Sequence, residues 1–310
     1  MLQKELWAAT LIALFWKMNG FAQKSVKAQK EFIYGGKIVH IPKVNSKPGV
    51  TRNRTTFPAT VQERTDADIL YIIDEFFVDP FRIPNAEKYE LSYDKRASVL
   101  QDQSNAANQE AAEWLLYHWA KYTQTTTAGT TTMTAQKLRT TGTAVGSHLA
   151  GTTGNRKIAL VEDLRRAKVM LNNNNVPTAD RYALFDSDML DQITQDPEYK
   201  KAWQAYESEL ITGSVAMIQG FNIFERSTAL RFDNSGTPDI VLPSAASAAD
   251  TNSGALIWHQ QGVENAIGDV EFFEQIGEPT YYGDIYSALL RAGGRIRRDD
   301  SVITLIQDAA

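Results

Sequence analysis

From about Ala97 to Tyr122 the chain places Leu100, Ala107, Ala111, Trp114, Leu115, His118 and Trp119 near i, i+3, i+4, i+7 spacing. That is the period of one apolar helix face. A helix of this length spans roughly 40 Å at 1.5 Å per residue, which makes it the longest rigid element the sequence predicts. The fold must therefore supply a cover for a long straight stripe.

The first twenty residues predict a second helix, over Gln3–Met18, stopped by Asn19-Gly20. Leu6, Leu11, Ile12, Leu14 and Phe15 make it apolar almost all round, so something must cover it too. Three readings are open: a helix that docks on another subunit, an ordinary core helix, and a secretion signal. Against the signal, Lys4 and Glu5 lead the run, Trp7 and Thr10 interrupt it and Lys17 follows it. It is also far too short to span a bilayer.

The rest reads mostly as strands and loops. "EFIYGGKIVHIPKV" is a strand entered through Gly35-Gly36. Residues 44–60 are polar, carry two prolines, and place Lys47, Arg52 and Arg54 ahead of Phe57, as an extended arm or loop would. "DILYIIDEFFVDPF", punctuated at Asp79-Pro80 and Pro84, predicts strands in a protruding excursion. The Thr/Gly/Ala-rich residues 123–154 read as a solvated loop. "KIALVEDLRRAKVMLNNNNVP" is an amphipathic helix, and "RYALFDSDMLDQI" a strand and a helix capped by Asp186 or Ser187. "GSVAMIQGFNIFERS" is a strand broken at Gly220. The closing residues form a meander with turns at Gly293-Gly294 and Asp299-Asp300, which packs as a sheet behind the long helix. With the long helix first and the sheet last, the fold class is α+β.

Chemistry is sparse. The absence of cysteine excludes disulfides, thiolate catalysis, Cys-bound zinc and iron–sulfur clusters. A net charge of −5 excludes a generally basic nucleic-acid binder. His40, His118, His148 and His259 lie far apart in sequence with no HExxH spacing, and each reads as structural. Asp186, Asp188 and Asp191 lack the central Gly and terminal Glu of a calcium loop, and suit a helix start instead. Glu110 and Glu113 read as a solvated helix face. No GxSxG elbow or P-loop is present. No catalytic, cofactor-binding or metal-binding residue is expected. The arginines, in "RRAK" (165–168), at Arg52, Arg54 and Arg64, and in "RIRR" (295–298), read either as solvated surface or as partners for acids of another subunit.

The order of elements resembles a family. "GGKIVHIP", the excursion ending "FRIPNAEKYELSYDKRASVL", the long helix, "VPTADRYALFDSDMLDQI", "GFNIFERS", "ALIWHQQGVENAI" and "EPTYYGDIYSALLRAGGRIRRDDSVITLI" follow one another as in tailed-bacteriophage major capsid proteins of the Hong Kong 97 type. Arg181 to Asp186, Ala255 to Gly262, Tyr282-Gly283-Asp284 and Gly294 to Arg298 match individual family patterns. The resemblance implies an N-terminal arm (1–44), an extended β E-loop (45–94), a peripheral domain with spine helix and closing sheet (95–125 and 255–310), and a mixed α/β axial domain (126–254). It implies a non-enzymatic protein of the virion that assembles with itself into hexamers and pentamers around double-stranded DNA. Portal and scaffolding or head-assembly proteins are the expected partners, DNA is held without sequence specificity, and no membrane is involved. The pattern starts almost at Met1, which leaves no room for a long scaffolding segment. The implied interface residues are Trp7, Trp16, Arg52, Arg54, Arg64, Arg295, Arg297 and Arg298. An encapsulin-type compartment shell shares the fold, and a secreted binding protein or hydrolase is the alternative from another class.

Overall fold

The structure is a computed structural model that describes residues 19–28, 38–44, 49–58, 61, 63, 66–85, 95–126, 129–203, 217–242, 248–268 and 270–309. The helix expected over Gln3–Met18 lies outside the described residues. In chain order the strands are β1 (Val26–Lys27), β2 (Ile38–Val44), β3 (Asp66–Ile72), β4 (Asp74–Pro84), β5 (Lys121–Thr126), β6 (Gly129–Thr134), β7 (Gln136–Arg139), β8 (Ala144–Gly146) and β9 (Asn155–Lys157). They continue with β10 (Arg181–Asp186), β11 (Met217–Ile218), β12 (Phe221–Arg226), β13 (Leu230–Phe232), β14 (Ile240–Val241), β15 (Asn252–His259), β16 (Val263–Ile267), β17 (Glu271–Glu278), β18 (Gly283–Ile296) and β19 (Val302–Ile306). The helices are α1 (Lys95–Ala120), α2 (Val161–Asn173), α3 (Ser187–Gln195) and α4 (Pro197–Trp203).

Two sheets organise the molecule. The larger runs β11-β12-β10-β15-β13-β14, with β19 beside β15 and β7 beside β19. Its central strands β10, β15 and β19 are buried at every position. Strand alternation sends their side chains to both faces, so the middle of each strand is mostly apolar, while Arg181, Asp186, Asn252, Ser253 and His259 are buried polar residues toward the strand ends. Tyr182, Leu184, Leu256, Trp258, Val302 and Ile306 enter the core shared with α1. Their alternates Ala183, Phe185, Ala255, Ile257, Ile303 and Leu305 enter a second core under α2 and α3. The parallel pairing of β10 with β12 adds a strand–helix–strand unit that the segregated reading did not contain.

The smaller sheet runs β1-β16-β18-β17, with β4 on the opposite edge of β18. The helix α1 lies along β18 through residues spaced by four. Gln103 Nε2 donates to the Tyr286 carbonyl at 2.9 Å. Ala107 and Ala111 cluster with Leu290 and Ala292, Leu115 packs over Gly294, and Trp119 Nε1 donates to the Glu264 carbonyl at 3.0 Å. Residues four apart stack on one helix face, so the row runs straight down the strand. The neighbouring row, Ala112, Leu116 and Ala120, turns to the larger sheet. One helix therefore packs against both sheets.

Three expectations are corrected. Residues 123–154 are not all loop: β5 and β6 form a hairpin, and β7, β8 and β9 follow. Threonine is β-branched and favours strands, which outweighs the low-complexity composition. Gly293-Gly294 is not a turn but sits inside β18, opposite Ala266 and Asn265 of β16. Gly294 serves a close helix–strand approach instead. The closing stretch does not form one sheet: β18 backs α1, and after the turn at Asp299–Ser301 the chain crosses to the larger sheet as β19.

A Cβ on Gly294 would lie 2.0 Å from Leu115 Cδ1, and Leu115 is itself buried. Gly294→Ala is expected to cost about 1–3 kcal/mol by overpacking. Combined with Leu115→Ala, which vacates that space, it should cost less than the sum of the two single changes. Urea unfolding of the unassembled subunit measures this cycle, and strict additivity would contradict the close approach.

Candidate subunit interface

The candidate interface residues do not gather in one place. Trp7, Trp16 and Arg64 lie outside the described residues. Arg52 is exposed in the turn before Arg54, whose Nη2 donates to Thr51 Oγ1 at 3.4 Å. Both remain on the surface of the 49–58 segment. The "RIRR" residues divide three ways. Arg298 points outward with its side chain 62% exposed and makes a two-pronged bond to Asp300 at 2.7 and 3.1 Å. Arg297 is half-buried, 3.6 Å from Glu264. Arg295 is a correction: its side chain is 1% exposed and bonds Glu264 at 3.0 Å. Its neighbour Gly294 faces α1, so Arg295 lies on the other face of β18, where its charge is neutralised within the subunit by its cross-strand partner Glu264.

A second charge is buried where a solvated one was expected. Glu110 is exposed, but Glu113 is enclosed against the fully buried Arg226, at 3.2 Å. This pair ties the middle of α1 to β12. Sequence reading misses it because the buried face of α1 extends beyond the Ala112, Leu116 and Ala120 row to Glu113. Arg181 is likewise internal, donating to the carbonyls of Val176 and Pro177 and to Asn172 Oδ1.

The titratable side chains hold the fold together. His118 Nδ1 sits 3.1 Å from the Trp114 carbonyl amid Trp114, Tyr117 and Tyr122. Burial holds its pKa below the ordinary value, against the Trp114 hydrogen bond and Asp74. His259 Nδ1 accepts from the Gln261 backbone N–H, and burial lowers its pKa as well. Asp186 caps α3, its Oδ1 accepting from Met189 N at 2.7 Å, as the sequence predicts. Among the described residues no group of histidines and acids has the geometry of a metal site, and no helix is long and apolar enough to cross a membrane.

What the surface offers is apolar. On the smaller sheet, Tyr286, Ala288 and Leu290 face α1, so residues paired with Ser287 and Leu289 point to the opposite face. Phe273 of β17 pairs with Ser287, and Phe77 of β4 with Leu289. Phe77 is 74% exposed and Phe273 52%. Nearby Phe81, Phe272, Ile276, Tyr281 and Tyr282 are also exposed. Strand β17 is solvated at nearly every position, and β18 is its one partner among the described residues. An exposed edge strand bearing phenylalanines is a template for pairing with another chain. The signal was present in "DVEFFEQI", where adjacent phenylalanines put apolar side chains on both faces.

A family model for phage capsid proteins matches residues 83–280. No curated protein matches the chain by sequence. Among solved structures, the fold is similar to the asymmetric unit of the cyanophage Pam1 capsid, with TM-score 0.69 and 10% identity over 100% of this chain and 97% of that one. It is similar to the capsid of cyanophage P-SCSP1u, with TM-score 0.67 and 18% identity over 98% and 92%. It is also similar to a structure from Mycobacterium phage Che8, with TM-score 0.67 and 14% identity over 98% and 97%. The likeness extends across essentially the whole chain in each case.

The two arginines at either end of "RIRR" should respond differently to removal. Arg295→Ala removes the nearer and more deeply buried of the two arginines at Glu264 and is expected to cost about 3–5 kcal/mol of subunit stability. Arg298→Ala removes an exposed pair worth about 0–1 kcal/mol. Chemical unfolding of unassembled subunits separates them, and equal losses would contradict the placement.

Proposed function

The chain belongs to the phage capsid protein family, as a major capsid protein with the Hong Kong 97-type fold and a structural, shell-forming role in the virion. On that premise we propose that its copies close into hexamers and pentamers of an icosahedral head around double-stranded DNA. The match over residues 83–280 carries this reading.

The two sheets suggest how the parts are used. Helix α1 and the smaller sheet serve as the peripheral platform. The larger sheet with α2, α3 and α4 serves as the axial domain. This division assigns β15 and β19, which lie in the 255–310 segment, to the axial part, because both pair within the larger sheet. The arm (1–44) and the excursion (45–94) reach neighbouring subunits. Arg52 and Arg54 supply directional charge at that contact, while Phe77, Phe273 and the edge of β17 are covered by a second copy of the chain. The net charge of −5 suits a wall that confines DNA without binding it tightly. Assembly takes place in the host cytoplasm with portal and scaffolding or head-assembly proteins as partners.

Negative-stain microscopy of the expressed protein is expected to show hollow, regular particles. Nucleic acid as their content, rather than an enzyme, separates a phage head from an encapsulin-type compartment. Subunits that remain monomeric under all conditions would sink the shell reading. The double variant Phe77→Glu/Phe273→Glu alters exposed positions, so it should fold with an unchanged melting temperature and form no particles. Normal particles from this variant would show that the apolar face is not an assembly surface.

A further inference from the structure

The loop Ser147–Gly154 between β8 and β9 carries one titratable side chain, His148, and the ring does not point to solvent. Its Nε2 lies 3.1 Å from Ser253 Oγ, 3.4 Å from Asp186 Oδ2 and 3.7 Å from Asp188 Oδ2. These partners belong to rigid elements. Asp186 is the buried cap of α3, Asp188 is in its first turn, and Ser253 is a buried residue of β15. Ser253 Oγ donates its proton to Asp186 Oδ2 at 2.7 Å. It can therefore only accept from His148, which fixes the neutral ring as the Nε2–H tautomer. A second proton must then enter at Nδ1. It converts a neutral hydrogen-bond donor into a cation facing two carboxylates, without moving any atom of the site.

We propose that His148 is a proton-operated latch that fastens the Ser147–Gly154 loop to the first turn of α3, holding it more tightly as the pH falls. The remaining ties of the loop do not titrate. Thr153 N donates to the Ala249 carbonyl at 2.9 Å, and Ser147 N to the Gly154 carbonyl at 3.1 Å. Thr152 Oγ1 lies 2.6 Å from Ser147 Oγ and 2.7 Å from the Leu149 carbonyl. Helix α3 presents Asp186 and Asp188, and β15 presents only the neutral Ser253. The turn after residue 247 carries the exposed Asp250, and β9 carries Arg156, whose guanidinium is held by the Thr153 and Asn155 carbonyls. The charges that act on the ring are those of Asp186 and Asp188.

The direction of the pH response follows from these neighbours. Burial works to lower the imidazole's pKa, but the hydrogen bond to Asp186 and the charges of Asp186 and Asp188 outweigh it, leaving the pKa above its ordinary value. A group whose pKa is raised by the folded state adds stability that is fully present below the unfolded value of about 6.5. That stability is lost as pH rises through the folded value. The latch is thus closed in mildly acidic solution and released on the alkaline side. It is a property of the subunit and does not rest on the shell reading.

Amide hydrogen exchange with mass spectrometry on the purified full-length protein tests it, at about pH 6 and about pH 8, corrected for the intrinsic pH dependence of exchange. In the wild type, peptides covering Ser147–Gly154 are expected to be several-fold more protected at the lower pH, while peptides from α1 do not change. In His148→Gln, which keeps an amide donor at the same place but cannot take up a proton, loop protection is expected to be equal at both pH values. Three results would overturn the latch: wild-type loop protection that is flat or falls toward the lower pH, a change in α1 of the same size as in the loop, or wild-type pH dependence retained in His148→Gln.

Discussion

The row Gln103, Ala107, Ala111, Leu115 and Trp119 along α1 is the constraint from which the rest of the structure follows. It keeps a straight helix in register with β18 over most of the strand's length. Small residues sit where the two approach, Ala107 and Ala111 on the helix, Ala292 and Gly294 on the strand. At the far end Trp119 meets Phe21 edge-on with ring centroids 5.8 Å apart, and Trp258 Nε1 donates to the Lys24 carbonyl at 2.8 Å. The N-terminal segment is thereby fixed to the same core. Because the adjacent helical row serves the larger sheet, the two sheets cannot shift relative to each other without disturbing one face of α1.

This arrangement also decides which groups remain for contacts between subunits. Arginine and glutamate are the residues from which directional contacts between subunits are readily built. Here two buried pairs, Arg226 with Glu113 and Arg295 with Glu264, are enclosed within one chain. Such buried pairs tend to fix the arrangement of elements more than they raise stability. The outward face of the smaller sheet carries exposed phenylalanines, and its edge strand β17 pairs only with β18 among the described residues. Apolar area and open backbone groups suit extensive, repeated contacts between identical copies.

Much of the architecture was legible in the sequence. The long helix, the strand Arg181–Asp186 running into a helix capped by Asp186, the break at Gly220, which is the turn between β11 and β12, and the strands of the excursion all carry local signals, whether periodicity, a cap or a turn residue. The resemblance to phage capsid proteins, built from the order of these elements, holds. What failed depended on long-range packing. Two consecutive glycines look like a turn unless the helix crossing above them is known. Arg295 and Arg298 differ by three residues in one charged stretch, yet one is buried beside its cross-strand partner Glu264 and the other is carried to solvent at the turn Asp299–Ser301. The threonine-rich stretch has the composition of a loop, while its residues have the β-branched shape of strands. His148 gave no signal, because the groups it meets lie 38 and 105 residues away in sequence.

The central claim is that a subunit with two of its charge pairs buried presents the apolar face and the β17 edge of its smaller sheet to other copies of itself. A reconstruction of assembled particles by electron cryomicroscopy tests this most directly. The account expects density from a neighbouring subunit over Phe77 and Phe273 and along the outer edge of β17. Particles in which that face and edge are open to solvent would contradict it.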